Sequence, residues 1–138
     1  MSLFKVFDIA GSALSAQSVR LNTTASNLAN AESVGSSAET AYKARHPVFA
    51  AMLKSMYGGE GEAVGVRVLG VTESQEPAQQ RYAPDHPMAD AEGYIYQPNV
   101  NAVEEMVNMI SASRSYQNNV EVLNTSKQML LATLRLGQ

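Results

Sequence analysis

The sequence predicts a mainly α protein with a small β-rich insert, held between long N- and C-terminal helices. Three observations lead there. Apolar residues recur at heptad spacing near both ends. Charge is scarce along the same segments. All five prolines and most of the nine glycines fall in between. A sustained seven-residue apolar repeat asks for a partner helix rather than a globular core.

In the first helix Phe7, Leu14, Leu21 and Leu28 stand seven apart, and the helix is expected over about residues 4–31. At 1.5 Å per residue it would be about 40 Å long. Its only charged side chains are Lys5, Asp8 and Arg20, and small residues flank the stripe (Ala10, Ala13, Ser18, Ala25, Ala29). Small flanks let a neighbouring backbone come close. A helix with water on its remaining sides would carry more charge, so those sides are expected to be covered as well.

From Glu32 to Pro98, Gly35, Gly65, Gly70 and Gly93 with Pro47, Pro77, Pro84, Pro87 and Pro98 rule out a continuous helix. Val64, Val66 and Val68 alternate with Gly65 and Arg67, the period of a half-buried strand, and residues 93–96 suggest another short one. The 47–57 stretch admits helix or strand, and the spacing of Val48, Phe49, Met52, Leu53 and Met56 favours helix.

The second helix should start after Pro98, where Asn101 followed by Glu104 has capping-box spacing. Glu104 and Glu105 in the first turn and Arg135 in the last both complement the helix dipole. Val103, Met106, Ile110, Tyr116, Val120, Leu123, Leu130 and Leu134 follow steps of three and four or their multiples. The helix is expected to reach about Leu136, with Gly137 as terminator. Three segments result: an N-terminal helix over 1–33, a loop and β-rich insert over 34–98, and a C-terminal helix over 99–138.

Composition narrows the function classes. The 138 residues suit one domain or a small body with helical arms, and 17% charged residues is well under the roughly 25% usual for soluble domains. A net charge of -3 gives no electrostatic reason to expect nucleic acid as a partner. No cysteine is present, so thiol chemistry is excluded. Lys5 and Asp8 interrupt the apolar start, which does not resemble a cleavable secretory signal.

Chemistry is not apparent. Asp85, His86, Asp90 and Glu92 lie close in sequence but match no zinc or calcium spacing, and this is ordinary turn composition. The run Gly58-Gly59-Glu60-Gly61-Glu62 lacks the lysine and hydroxyl ending of a phosphate loop. No serine sits in a nucleophile elbow. No catalytic residue, cofactor, metal site or small-molecule substrate is expected, and the chain reads as non-enzymatic. Arg114, between Ser113 and Ser115, suits an ion pair with a neighbouring subunit.

The segments Phe7-Asp8-Ile9-Ala10-Gly11-Ser12-Ala13-Leu14, Arg20-Leu21-Asn22 and Ala25-Ser26-Asn27-Leu28-Ala29-Asn30 resemble the N-terminal signature of the bacterial flagellar rod and hook proteins. The segments Glu104-Glu105-Met106-Val107, Ser111-Ala112-Ser113-Arg114-Ser115-Tyr116 and Asn119-Val120-Glu121-Val122-Leu123-Asn124 are similar to those of its proximal rod members. The resemblance covers nearly the whole chain. It implies a structural subunit of the proximal rod of the flagellar basal body, the torque-transmitting drive shaft. The terminal helices would form a coiled-coil-like pair within a helical assembly. Partners would be other rod proteins, copies of the chain itself, export-gate or adaptor proteins at the rod base, and the flagellar type III export apparatus. The place would be the periplasm-spanning rod, reached without a cleavable signal. Expected interface residues are Phe7, Leu14, Leu21, Asn27, Leu28 and Asn30 on the first helix. On the second they are Val103, Met106, Ile110, Arg114, Tyr116, Val120, Leu123, Leu130 and Leu134. The competing expectation is a soluble helical-hairpin adaptor or export chaperone.

Overall fold

The computed structural model describes residues 3–54 and 62–136. Helix α1 spans Leu3–Asn30 and helix α2 spans Ala102–Leu136, with strands β1 (Arg45–Lys54), β2 (Glu62–Glu73), β3 (Gln79–Tyr82) and β4 (Tyr94–Gln97) between them. The glycine run at 58–61 and the terminator Gly137 lie outside the described residues.

β1 and β2 pair as one two-stranded sheet, and β3 and β4 as another. The second is antiparallel, with Tyr82 opposite Tyr94 and Gln79 opposite Gln97. The Tyr82 and Tyr94 rings meet edge to face, 5.3 Å between centroids. Gly35 adds a single bridge to Tyr96 on β4. A side chain cannot replace its hydrogen, because a Cβ there would lie 2.8 Å from the Ala41 nitrogen.

The 45–54 stretch is strand, not the helix its spacing favoured. Intrinsic preference is weak for Ala51-Met52-Leu53, and pairing with the valine-rich β2 decides the conformation. β3 has no pattern in the sequence because all four of its residues are exposed. The start of α2 is as expected: Asn101 Oδ1 accepts the Val103 N–H at 3.1 Å and the Glu104 N–H at 3.3 Å. Acidic Glu104 and Glu105 occupy its first turn and Arg135 its last.

The described residues fall into two units. One gathers parts of 3–21, 48–54, 62–70 and 111–136; the other gathers 22–47 and 71–110. In the first, β2 comes up against α1 at Gly65, whose φ is +153° and whose missing Cβ would lie 2.6 Å from Ser12 Oγ. The Val66 N–H donates to Ser12 Oγ at 3.0 Å, and that hydroxyl donates to the Ile9 carbonyl at 2.8 Å. Glycine allows this approach because it tolerates positive φ and has no side chain in the way.

In the second unit Asn27, 1% exposed, is the hub. Its Nδ2 donates to the Arg45 carbonyl at 2.8 Å, while its Oδ1 accepts the Arg45 N–H and the Tyr42 hydroxyl, both at 2.9 Å. A second amide repeats the device. Asn99 Oδ1 accepts the Ala44 N–H at 2.7 Å, and its Nδ2 donates to the Glu76 carbonyl at 2.8 Å. Together these two asparagines bond backbone groups of Ala44, Arg45 and Glu76, so part of the main chain outside regular pairing finds its partners in side-chain amides.

Candidate assembly interface

What the chain buries by itself is small. Among the described residues the buried apolar side chains are Ala10, Ala16, Ala41, Ala44, Ala112 and Ile95, five of the six being alanine. Among the described residues nineteen large apolar or aromatic side chains are exposed, ten of them on α2. A soluble monomer rarely leaves such surface in contiguous form, and where it occurs it marks an interaction site.

On α2 the covered positions are Ala102, Glu105, Asn108, Met109, Ala112, Ser113, Ser115, Asn119, Leu123, Ser126 and Leu130. Apart from Asn108 and Ser113 they follow steps of three and four, a seam of mostly small or polar residues. The apolar residues lie mainly on other faces. Val103 is 70% exposed, and Met106, Val107, Ile110, Tyr116, Val120, Val122, Met129, Leu131 and Leu134 are exposed too.

Helix α1 has the opposite arrangement. Its large residues Phe7, Leu14, Leu21 and Leu28 are half-buried. Its exposed positions are Phe4, Asp8, Gly11, Ser15, Ser18, Asn22, Ala25 and Ala29, again in strict steps of four and three. After Phe4 this open seam holds only small or short polar side chains. It therefore forms a shallow channel along the helix.

The expected interface residues thus divide. Val103, Met106, Ile110, Arg114, Tyr116, Val120 and Leu134 stand open to solvent, and Leu123 and Leu130 lie on the covered seam of α2. Asn27 is consumed by the chain's own fold, and Asn30 Nδ2 donates within its helix to the Ser26 carbonyl at 2.8 Å. An asparagine with an apolar neighbour in a helix is ambiguous in sequence: it can bond within a chain or between chains. Of the small residues the sequence places beside the stripe, Ser18, Ala25 and Ala29 lie on this open seam, whereas Ala10 is buried and Ala13 half-buried; Gly11, Ser15 and Asn22 complete the seam and were not singled out. Its signal was present, since Gly11, Ser15, Ser18, Asn22, Ala25 and Ala29 keep coiled-coil spacing.

Nothing in the described residues builds a catalytic centre. No group of three His, Asp or Glu side chains there converges on a point where an ion could sit. Asp90 is a turn organiser. It accepts the Tyr94 N–H at 2.8 Å, the Glu92 N–H at 2.9 Å and the Tyr96 hydroxyl at 3.2 Å. The Tyr94 N–H foremost holds its carboxyl below the ordinary range, against the opposing effect of partial burial. The same contact with Asp90 raises the Tyr96 phenol. A cavity of about 590 Å³ is lined by Lys5, Asp8, Ala51, Met52, Leu53, Val64 and Arg67 and holds no nucleophile and base pair. No described helix is long and apolar enough to cross a membrane.

Comparison with known proteins gives the family. The family model described as "Flagella basal body rod protein" matches residues 7–35, and that of the "Flagellar basal body rod FlgEFG protein C-terminal" matches residues 91–136. The flagellar basal-body rod protein FlgC of Salmonella typhimurium is 55% identical over 139 residues, covering all of both chains. That of Yersinia enterocolitica is 53% identical over 138 residues, and that of the Acyrthosiphon pisum symbiont Buchnera aphidicola is 42% identical over 147, each again covering both chains in full. These relatives are rod components, which leaves the adaptor expectation without support. At this identity over the full length of both chains, the chain belongs to the FlgC family of flagellar basal-body rod proteins, a structural family and not an enzyme family.

Proposed function

We propose that this chain builds the proximal part of the flagellar rod by packing the open seams of α1 and α2 against neighbouring subunits, so that the terminal helices form the torque-bearing core. The observation that carries this is the row of exposed apolar side chains on α2 from Val103 to Leu134. In water each such side chain forgoes roughly 1.5–3 kcal/mol of burial, so a subunit of this kind gains by being covered. Stiffness then comes from many small contacts summed over each helix. The same reading includes copies of the chain and other rod proteins as neighbours, an adaptor at the export gate at the rod base, passage through the type III export apparatus, and a final place across the periplasm.

Electron microscopy of basal bodies from cells lacking the chain tests the reading. Bodies that end at the membrane ring without a rod are expected. Complete rods and hooks would refute it. The reading also holds that the terminal helices gain much of their order on assembly, since the apolar residues buried on them, among those described, are the alanines Ala10, Ala16 and Ala112. Strong hydrogen-exchange protection of residues 12–28 in purified monomer would contradict that part alone.

A further inference from the structure

Among the described residues Gln17 on α1 carries a buried amide oxygen, Oε1, that accepts no hydrogen bond. Folded chains leave few buried polar atoms in that state. The place of this one is informative. Phe7, Ala10, Leu14, Gln17 and Leu21 follow steps of three and four and form one stripe, apolar except for Gln17. Ala10 is buried, while Phe7, Leu14, Gln17 and Leu21 are half-buried, so the chain covers this stripe only in part. A helix laid along the remainder would meet one amide in the middle of an apolar seam.

The chain gains nothing from that amide by itself. An unpaired carbonyl forfeits the hydrogen bonds it had with water, which an apolar side chain of the same length would not. Ser12 on the same helix shows the contrast, since its Oγ accepts the Val66 N–H at 3.0 Å and donates to the Ile9 carbonyl at 2.8 Å. A single polar position in an apolar helical seam costs stability, and its use is to fix the register and choice of the docking helix. The acceptor also defines its partner. A cation would be buried in this stripe without a counter-charge, so an uncharged donor suits it better. The chain exposes a row of such donors. Gln117, Asn124 and Gln128, seven and four apart, stand open on one face of α2 and make no hydrogen bond among the described residues. Asn119, off that row, is engaged within its own helix, its Nδ2 donating to the Ser115 carbonyl at 2.8 Å.

We infer that Gln17 sets the register of the α1 stripe against a second copy of the chain, its Oε1 accepting a hydrogen bond from an amide of the Gln117, Asn124 and Gln128 row. The inference rests on the proposed rod role and names one directional contact within it. Apolar contacts tolerate sliding along a helix, whereas an amide pair is made at one register only.

The test is Gln17→Met, which keeps the length of the side chain and removes the amide, expressed in cells lacking the chain beside a wild-type control. Normal secretion and a melting temperature unchanged or raised are expected. Complete hook–basal bodies should fall about tenfold, since one lost hydrogen bond recurs at every such contact. A lowered melting temperature would make the amide part of the chain's own fold and overturn the inference, as would normal basal-body numbers or a block in secretion. The partner is read separately. A photo-crosslinking amino acid replaces Gln117, Asn124 or Gln128 in chains assembled beside wild-type ones. At least one of the three should link to the peptide holding Gln17 in a species of twice the chain's mass. Links from all three only to other rod proteins, or to no part of α1, would overturn the pairing with a second copy. If the wild-type control restores no rods, the rod role itself fails, independently of Gln17.

Discussion

The two terminal helices use similar spacings in opposite ways. On α1 the large residues Phe7, Leu14, Leu21 and Leu28 are half-buried, and the open seam is Gly11, Ser15, Ser18, Asn22, Ala25 and Ala29. On α2 the covered seam includes Ala102, Ala112, Ser115 and Ser126, while Val103, Met106, Ile110, Val120, Leu131 and Leu134 stand outside. One helix thus offers a channel and the other offers knobs. Large side chains seat best against small ones, so in the proposed assembly the two open surfaces would complement each other between subunits without matching themselves. Contacts between unlike surfaces continue from subunit to subunit and generate rings or helical filaments rather than closed dimers.

The comparison breaks most severely at Asn27, which holds the inner side of α1. Asn27→Ala leaves both Arg45 backbone groups and the Tyr42 hydroxyl without this partner, for an expected loss of about 3 kcal/mol or more of folding stability. Urea unfolding measures this, and a loss below about 1 kcal/mol would return Asn27 to the candidate interface. A smaller effect is expected at Ala112, which is fully buried on the covered seam of α2. Ala112→Leu should overpack it at a cost of about 1–3 kcal/mol, whereas the same leucine at exposed Ala29 on α1 should leave monomer stability nearly unchanged. Equal effects at the two sites would erase the distinction between covered and open seams.

On the open surfaces stability and assembly should separate. Ile110→Glu and Ser18→Leu are each expected to shift the monomer by no more than about 0.5 kcal/mol. Both should reduce rod formation, the first by placing a charge among apolar contacts and the second by filling the channel. Motility of complemented cells together with thermal unfolding of the purified variants reads both quantities, and full motility in Ile110→Glu would exclude that face from assembly. The smallest expected effect belongs to Asp90, away from either seam. Its carboxyl titrates below the ordinary aspartate value of about 3.9 in the folded chain, so its contribution is complete above that pH and is lost as pH falls through the lowered value. Asp90→Asn should remove this acid dependence below about pH 4 and leave neutral-pH assembly intact. An unchanged acid limb would show that the turn does not depend on the ionised form.

Much of the molecule was legible in the sequence for definite reasons. The α2 cap was visible because Asn101 and Glu104 are three apart after a proline, and β2 because its valines alternate. β1 was misread because Val48, Met52 and Leu53 satisfy a helical spacing as well as a strand, and only pairing with β2 separates the two. β3 was missed because a strand exposed at every residue has no alternation. On α2 the apolar stripe was legible, yet which residues the chain keeps for itself was not.

The sequence by itself determined the two long helices, the punctuated insert between them and the membership in the rod protein family. These follow from local spacing, turn chemistry and residue type, which act within a few residues of one another. The tertiary structure alone decided that Asn27 bonds inward, that β2 meets Ser12 through Gly65, that Glu105 is buried, and which side of each helix is open. Those outcomes depend on groups brought together across 18 positions for Asn27 and Arg45 and 54 for Ser12 and Val66. Hydrogen-bond geometry and close packing select among them only once the distant segments have met.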